Sequence, residues 1–342
     1  MALPLSHLPP FPEDIPLAPI AVISYRKLLA GDSSEAAQVL EAARTYGFFY
    51  LDLQGVPEGE ALLTESEQFH ALAKDVFSIP LDEKLQYALQ RGVSLFGYKP
   101  AGTVKTTDKD QRPDTTEFFN ISKDHMHGVA PSRSYPPQIG RQRPLLQSFT
   151  RHGHECGMAV LRTLAQQLGL QPDEFTRLNL FDRPSGDHCR LTRKTPHSSD
   201  AAKAIGLPSH TDFGSVTVLF NWLGGLQIES RTEGRMGEWE WVKPVPGHAI
   251  INLGDAMVTF TNGDLKSAKH RVVPSPGEQG SLDRYSVVYF VRPNNDVLMK
   301  PLEKFNKDSV VKVAGKFSEG RDGDEALTAG EWVVQRAIQL GN

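Results

Sequence analysis

Six short apolar segments, 216–220, 226–228, 239–242, 249–253, 270–273 and 285–291, follow one another through the C-terminal half, with Gly or Pro in nearly every gap. Each is rich in β-branched and aromatic residues, the composition that fits a pleated, half-buried surface. The strand-like signal begins at Asp187. Many short strands at regular spacing predict a sandwich or jelly roll, with the helices of the first half packed outside it.

The first half reads differently. Segment 1–19 is Pro-rich and is expected as an extended arm, and the apolar run 20–23 reads as a strand. A helix follows, capped by Ser33 or Ser34, with Val39, Leu40 and Ala43 at helical spacing until Gly47. Residues 48–51 form a short aromatic strand, and 60–77 a second amphipathic helix that Pro80 stops. Residues 92–144 are rich in Gly, Pro, Lys, Asp and Thr and read as a long irregular segment, a candidate lid over a site. Leu145, Leu146, Phe149, Val160, Leu161, Leu164 and Leu168 then mark one face of a long helix closed by Gly169. The expected organisation is one compact unit: the arm 1–19, a helical region 20–180 with the lid-like 92–144, and a jelly-roll region 181–342 ending in a helix.

A length of 342 residues allows one large domain or two average ones. With 37 basic and 41 acidic side chains the net charge is −4, and the Lys and Arg are scattered among acids. The basic stripe of a nucleic-acid binder is missing, so no nucleic-acid partner is expected. Cys156 and Cys189 are too few for a disulfide framework, which predicts a reduced, cytoplasmic chain. Segment 1–19 lacks the regions of a secretory signal, and no run of about 18 apolar residues occurs, so no membrane association is expected. The oligomeric state is not legible.

The chemistry concentrates in the second half, where His210-Thr211-Asp212 is followed by His270 and then by Arg284-Tyr285-Ser286. A His-x-Asp triplet alone says little; on a strand it says more. Alternate strand residues point to one face, so His210 and Asp212 are expected to project together into the barrel, as are Arg284 and Ser286 from another strand. Two imidazoles and one carboxylate leave open positions on a six-coordinate ion, the facial triad of non-haem Fe(II) oxygenases. The same donors suit Zn(II) with one open position, so a zinc-dependent jelly-roll hydrolase or isomerase stays open, although no His-Glu-x-x-His helix is present.

Five ordered segments carry a resemblance. His210-Thr211-Asp212-Phe213-Gly214-Ser215, Gly224-Gly225-Leu226-Gln227, Asn252-Leu253-Gly254-Asp255, Ser267-Ala268-Lys269-His270-Arg271-Val272 and Arg284-Tyr285-Ser286 resemble the Fe(II)/2-oxoglutarate-dependent dioxygenases of the isopenicillin N synthase-like superfamily. Gly47-Phe48-Phe49-Tyr50-Leu51, Phe77-Ser78-Ile79-Pro80, Gly97-Tyr98 and Glu117-Phe118-Phe119 are similar to its helical N-terminal region, so the resemblance runs from about Ile20 to near the C-terminus. It implies a mainly β fold with flanking helices around a distorted double-stranded β-helix, a cupin-like jelly roll. It implies that His210, Asp212 and His270 hold Fe(II), and that Arg284 and Ser286 bind the distal carboxylate of 2-oxoglutarate, to which Thr192 can add a hydroxyl. A guanidinium fork and a neighbouring hydroxyl suit a carboxylate physically as well. The activity implied is oxidation of a small organic molecule in specialised metabolism by dioxygen, with ascorbate supportive and succinate and CO2 released. Hydroxylation, desaturation, ring formation and ring expansion all remain open. So does a 2-oxoglutarate-independent iron oxidase of the same superfamily, since such members keep Arg-x-Ser. A non-catalytic jelly-roll binding protein is the third alternative.

One departure stands out. The family strand before the metal motif often ends in a polar residue, Tyr and Pro, whereas this chain reads Arg190-Leu191-Thr192-Arg193-Lys194-Thr195-Pro196. Lys194 therefore stands where Tyr is expected, and its charge either meets an anion of substrate or cosubstrate or is a solvated strand end. Phe118 and Trp222, with Phe119 and Tyr98, are candidates for an apolar substrate wall. The remaining histidines do not compete as ligands. His152 and His154 diverge by roughly 200° on a helix, His125 and His127 sit in a polar stretch, and His188, His197 and His248 have no carboxylate two residues on.

Overall fold

The computed structural model describes residues 8–90, 92–104, 113–196, 205–306 and 326–339. Among these residues the strands are β1 (Val22–Ser24), β2 (Phe48–Asp52), β3 (Gly97–Lys99), β4 (Thr116–Ser122), β5 (His188–Lys194), β6 (Leu207–His210), β7 (Val216–Asn221), β8 (Leu226–Glu229), β9 (Trp239–Trp241), β10 (His248–Leu253), β11 (His270–Val272) and β12 (Arg284–Val291). The helices are α1 (Tyr25–Leu29), α2 (Ser33–Thr45), α3 (Pro57–Ser78), α4 (Leu81–Leu85), α5 (Lys123–His127), α6 (Pro137–Gly140), α7 (Arg143–Gln167), α8 (Asp255–Phe260) and α9 (Ala329–Gln339). No helix among the described residues is long and apolar enough to cross a membrane.

Two sheets face each other as a jelly roll. The larger runs β1-β2-β10-β7-β12-β5-β4-β3 and the smaller β6-β11-β8-β9. The period-two alternation of strands assigns each residue of the large sheet to one of two faces. On β12, Tyr285, Val287, Tyr289 and Val291 join the core under the helices, while Arg284, Ser286, Val288 and Phe290 face the interior between the sheets. On β5, Leu191 and Cys189 lie on the helix side and Arg190 and Thr192 on the interior side. One buried cluster joins Phe69 of α3 and Phe149 of α7 to Val218 and Tyr289 of the sheet, so it spans both sides of residue 180.

Several sequence expectations need correction. The cap of α2 is Asp32, not Ser33 or Ser34, because its carboxylate accepts from both the Ser34 and Glu35 amides at 3.0 Å. The 92–144 segment is not irregular throughout. It contains β3 and β4, which extend the large sheet past β5, and the helices α5 and α6. Glu117-Phe118-Phe119 accordingly lies on a strand, not in a helical region. Residues 105–112 of this segment, 1–7 of the arm and His197 fall outside the described residues.

Candidate active site

His210 ends β6 and pairs directly with His270 on β11, antiparallel and in register, which brings the imidazole centroids to 4.3 Å. Asp212 lies just past the end of β6 rather than on it, so the expectation of a shared strand face is corrected. Its backbone carbonyl accepts from the Asp255 amide at 2.8 Å. A Cβ at Gly254 would come within 2.9 Å of that carbonyl and 2.2 Å of Gly214 O, which is why a glycine precedes Asp255 here. The ligand atoms of His210, Asp212 and His270 lie within 4.8 Å of one another.

The unused atoms are tied down. His210 Nδ1 donates to Pro208 O at 2.9 Å and His270 Nδ1 to Ala268 O at 3.2 Å, so each ring turns its Nε2 inward. Both Nε2 atoms face Asp212 Oδ1, at 3.9 and 3.8 Å. Its other oxygen, Oδ2, accepts from Thr217 at 2.6 Å and from Asn252 at 2.7 Å. Burial and the facing His270 pull His210 down to about 4, keeping it neutral. For Asp212 burial acts upward, but His270, His210 and the bonds from Thr217 and Asn252 outweigh it and set the carboxyl at about 2. Two imidazoles and one carboxylate, aimed at one point with their remaining atoms satisfied, fit a divalent cation.

Arg284 sits deeper on β12, with Nε donating to Gly224 O at 2.8 Å. Gly225, at φ +122°, makes this approach possible; a Cβ there would meet Arg284 Nε at 2.9 Å. Burial pulls the guanidinium down to about 10. Ser286 shares a hydrogen bond with Thr192 directly across the β12–β5 register. Lys194 lies opposite Arg284 in the same register, 4% exposed. It is therefore no solvated strand end, although it does not line the cavity that Arg284, Ser286 and Thr192 share with the triad. Phe118 of β4 lines that cavity and the outer one above it.

Trp222 lies elsewhere. Past Asn221 the chain leaves the interior, and the indole stacks on His70 of α3 at 4.2 Å, lining surface cavities near Leu8 and not those at the triad. Tyr98 and Phe119 are buried on the helix side. His152 pairs with Glu65, His154 with Asp187, His125 with Tyr135 and His127 with Thr150, all away from the triad. Thr217 and Arg292 carry site contacts that no motif marks, and Asn252 and Arg190, though they stand in segments compared with the family, take no role from that comparison. Only the opposition of Asn252 to Thr217 across β10–β7 follows a simple pattern, visible once the strands are aligned.

A jelly roll with a two-His, one-carboxylate cluster at its mouth and a buried arginine at its base is the architecture of a non-haem iron oxygenase that uses an anionic cosubstrate. A family model described as the 2OG-Fe(II) oxygenase superfamily matches residues 186–293, and one described as the N-terminal part of a non-haem dioxygenase in morphine synthesis matches 19–139. A 2-oxoglutarate-dependent dioxygenase of Aspergillus fumigatus is 32% identical over 97% of this chain and 89% of its own length. Another from a Dothideomycetidae species is 30% identical over 93% of this chain and 97% of its own. The full-length Neurospora crassa T7H structure with alpha-KG superposes with a TM-score of 0.74 at 24% identity, covering 96% of this chain and 98% of that one. The chain belongs to the 2OG-Fe(II) oxygenase superfamily. It is a 2-oxoglutarate-dependent dioxygenase, an oxidoreductase that uses Fe(II) and 2-oxoglutarate and acts on a small molecule.

Proposed function

We propose that His210, Asp212 and His270 hold the Fe(II), that Arg284, Ser286 and Thr192 receive the distal carboxylate of 2-oxoglutarate with Lys194 adding charge behind Arg284, and that the prime substrate lies against Phe118. The observation that carries this reading is the convergence of His210 Nε2, His270 Nε2 and Asp212 Oδ1 in a cavity that also exposes Arg284 and Ser286. With metal and cosubstrate bound, the centre supplies oxidation of the substrate by dioxygen coupled to breakdown of 2-oxoglutarate to succinate and CO2.

The residues of the chain do the rest. Thr217 and Asn252 fix the rotation of the Asp212 carboxylate, and the carbonyls of Pro208 and Ala268 fix the imidazole tautomers. Arg284 and Ser286 orient the cosubstrate from the base of the cavity, while Leu219, Leu226, Val272 and Val288 exclude water around it. Asp212→Ala should abolish Mn(II) binding and turnover while leaving the circular dichroism spectrum unchanged, since Asp212 lies outside the strands. Retention of one tightly bound Mn(II) per chain in that variant would overturn the assignment.

A further inference from the structure

The outer cavity above the triad contains a charge arrangement that neither metal nor 2-oxoglutarate binding requires. Arg292 and Arg190 both line it, flanking the ring of Phe290. Arg292 is 5% exposed, and its Nε and Nη1 are buried with no acceptor. Its Cζ lies 5.6 Å from the Phe213 ring and 5.7 Å from Phe290. Arg190 donates Nε to Asn120 Oδ1 at 2.7 Å and stacks on Phe118 at 4.2 Å. Neither guanidinium is in an ion pair among the described residues. Lys99, the third cation at this cavity, is paired with Asp114.

Ring faces offset part of the desolvation of these charges, but they do not satisfy the N–H donors. An unpaired buried donor costs free energy unless something accepts from it, and a guanidinium fork is matched geometrically by a carboxylate or phosphate. Among the described residues Asp212 is the one carboxylate lining this cavity; its Oδ2 is taken by Thr217 and Asn252, and its Oδ1 faces the two imidazoles. Burial, and for Arg190 the neighbouring Arg292, pull both guanidiniums down to about 10, the direction an arriving anion would reverse. The subsite adjoins the proposed cosubstrate site and differs from it by Arg292: Arg190 and Phe118 line both cavities, whereas Arg292 lines only the outer and Arg284 only the inner.

We propose that Arg292 and Arg190 form a subsite for an anionic group of the prime substrate, which is therefore a carboxylate- or phosphate-bearing compound with an apolar portion against Phe118 and Phe213. This rests on the reading that the His210–Asp212–His270 cluster is the reaction centre, since it places the anion beside the oxidised carbon.

Crystals soaked with Mn(II), 2-oxoglutarate and bromide test both readings at separate X-ray absorption edges. The expected result is manganese at the triad and bromide in contact with Arg292 and Arg190. In Arg292→Gln the bromide is lost and the manganese stays, and in Arg292→Lys, which keeps a cation, bromide returns. No bromide at Arg292 in the wild type overturns the subsite whatever the manganese does; bromide there without manganese at the triad overturns the reaction centre instead. Succinate release with matched pairs of acids and their amides tests the substrate class. The acids should stimulate it, and Arg292→Gln should lower that stimulation about tenfold or more. Stimulation by a neutral amide that Arg292→Gln leaves unchanged would overturn the class.

Discussion

Lys194 shows how much one residue decides at this site. Its ammonium is buried beside Arg284 and, among the described residues, meets only Thr195 O at 3.5 Å and has no carboxylate partner. Burial, and then Arg284, pull it from its usual 10.5 down to about 8. Two neighbouring cations repel each other until an anion arrives, which is how Lys194, standing behind Arg284 and outside the cavity lining, would favour a carboxylate at the proposed cosubstrate site. Lys194→Met keeps the stem and removes the charge, and should weaken 2-oxoglutarate binding by roughly 1–3 kcal/mol. The pH dependence carries the sign. In the wild type the affinity should fall as pH rises through about 8, where the free enzyme loses this proton. Without ligand the unfolded chain holds more protons than the folded one between about 8 and 10.5, so this group makes stability rise with pH across that window. Titration of 2-oxoglutarate into the Mn(II) enzyme at pH 7 and pH 9 checks it, and a flat affinity in the wild type would remove Lys194 from the site.

At the scale of elements, α7 holds the large sheet in shape through its small residues. A Cβ at Gly153 would lie 2.9 Å from the Tyr289 ring, and one at Gly157 2.7 Å from Val291 Cγ2, so the helix sits directly on β12. Gly157→Val should therefore overpack this interface at a cost of about 1–3 kcal/mol. It acts on the helix-facing side of β12, so the melting temperature should fall while 2-oxoglutarate affinity, set on the opposite face, stays unchanged; a shift in affinity would show that the two faces are coupled. The same two-faced strands explain what the sequence reveals. The strands with apolar runs, β7, β10 and β12, are legible, and so is the cluster of His210, Asp212 and His270, because a His-x-Asp followed by His and Arg-x-Ser in order marks it. The strand β5, with Arg190, Thr192 and Lys194 facing inward, is legible only through the strand signal that begins at Asp187 and the family segment it carries; β4 is hard to see because its interior-facing positions Thr116, Phe118 and Asn120 are mostly polar while Glu117 interrupts the helix-facing row. That glutamate accepts from Lys84 at 2.8 Å, Tyr98 at 2.6 Å and Arg193 at 2.7 Å, a buried network that no local pattern announces. Arg190 and Arg292 escape for a related reason: each is an ordinary strand or strand-end arginine until Phe290 and the cavity wall are folded around it.

For the whole molecule, the N-terminal arm reaches Arg284, at the proposed cosubstrate site, from behind. Gln279 donates to Pro9 O at 2.8 Å and accepts from the Gly224 amide at 2.8 Å, and the carbonyl of that same Gly224 takes the Arg284 Nε bond at 2.8 Å. Phe11 covers this junction. It is 8% exposed, packs edge-on to Trp241 at 6.4 Å, and approaches Gly224 so closely that a Cβ there would stand 2.6 Å from its ring. The extended arm thus backs the turn that takes the Arg284 bond. Phe11→Ala should cost on the order of 3 kcal/mol of stability by leaving a void over Gly224. Because the Gly224 peptide and Arg284 are linked by one hydrogen bond, it should also weaken 2-oxoglutarate binding several-fold, within the about 0.5–1.5 kcal/mol that a loosened neutral hydrogen bond accounts for. Mn(II) affinity should not change, since the triad is held by β6, β11 and the Asp255 amide on the other sheet and at its mouth. Calorimetric titration of both ligands into the variant, beside its melting curve, separates the effects: a lower melting temperature with an unaltered 2-oxoglutarate dissociation constant would mean that the arm braces the fold and leaves Arg284 where it is.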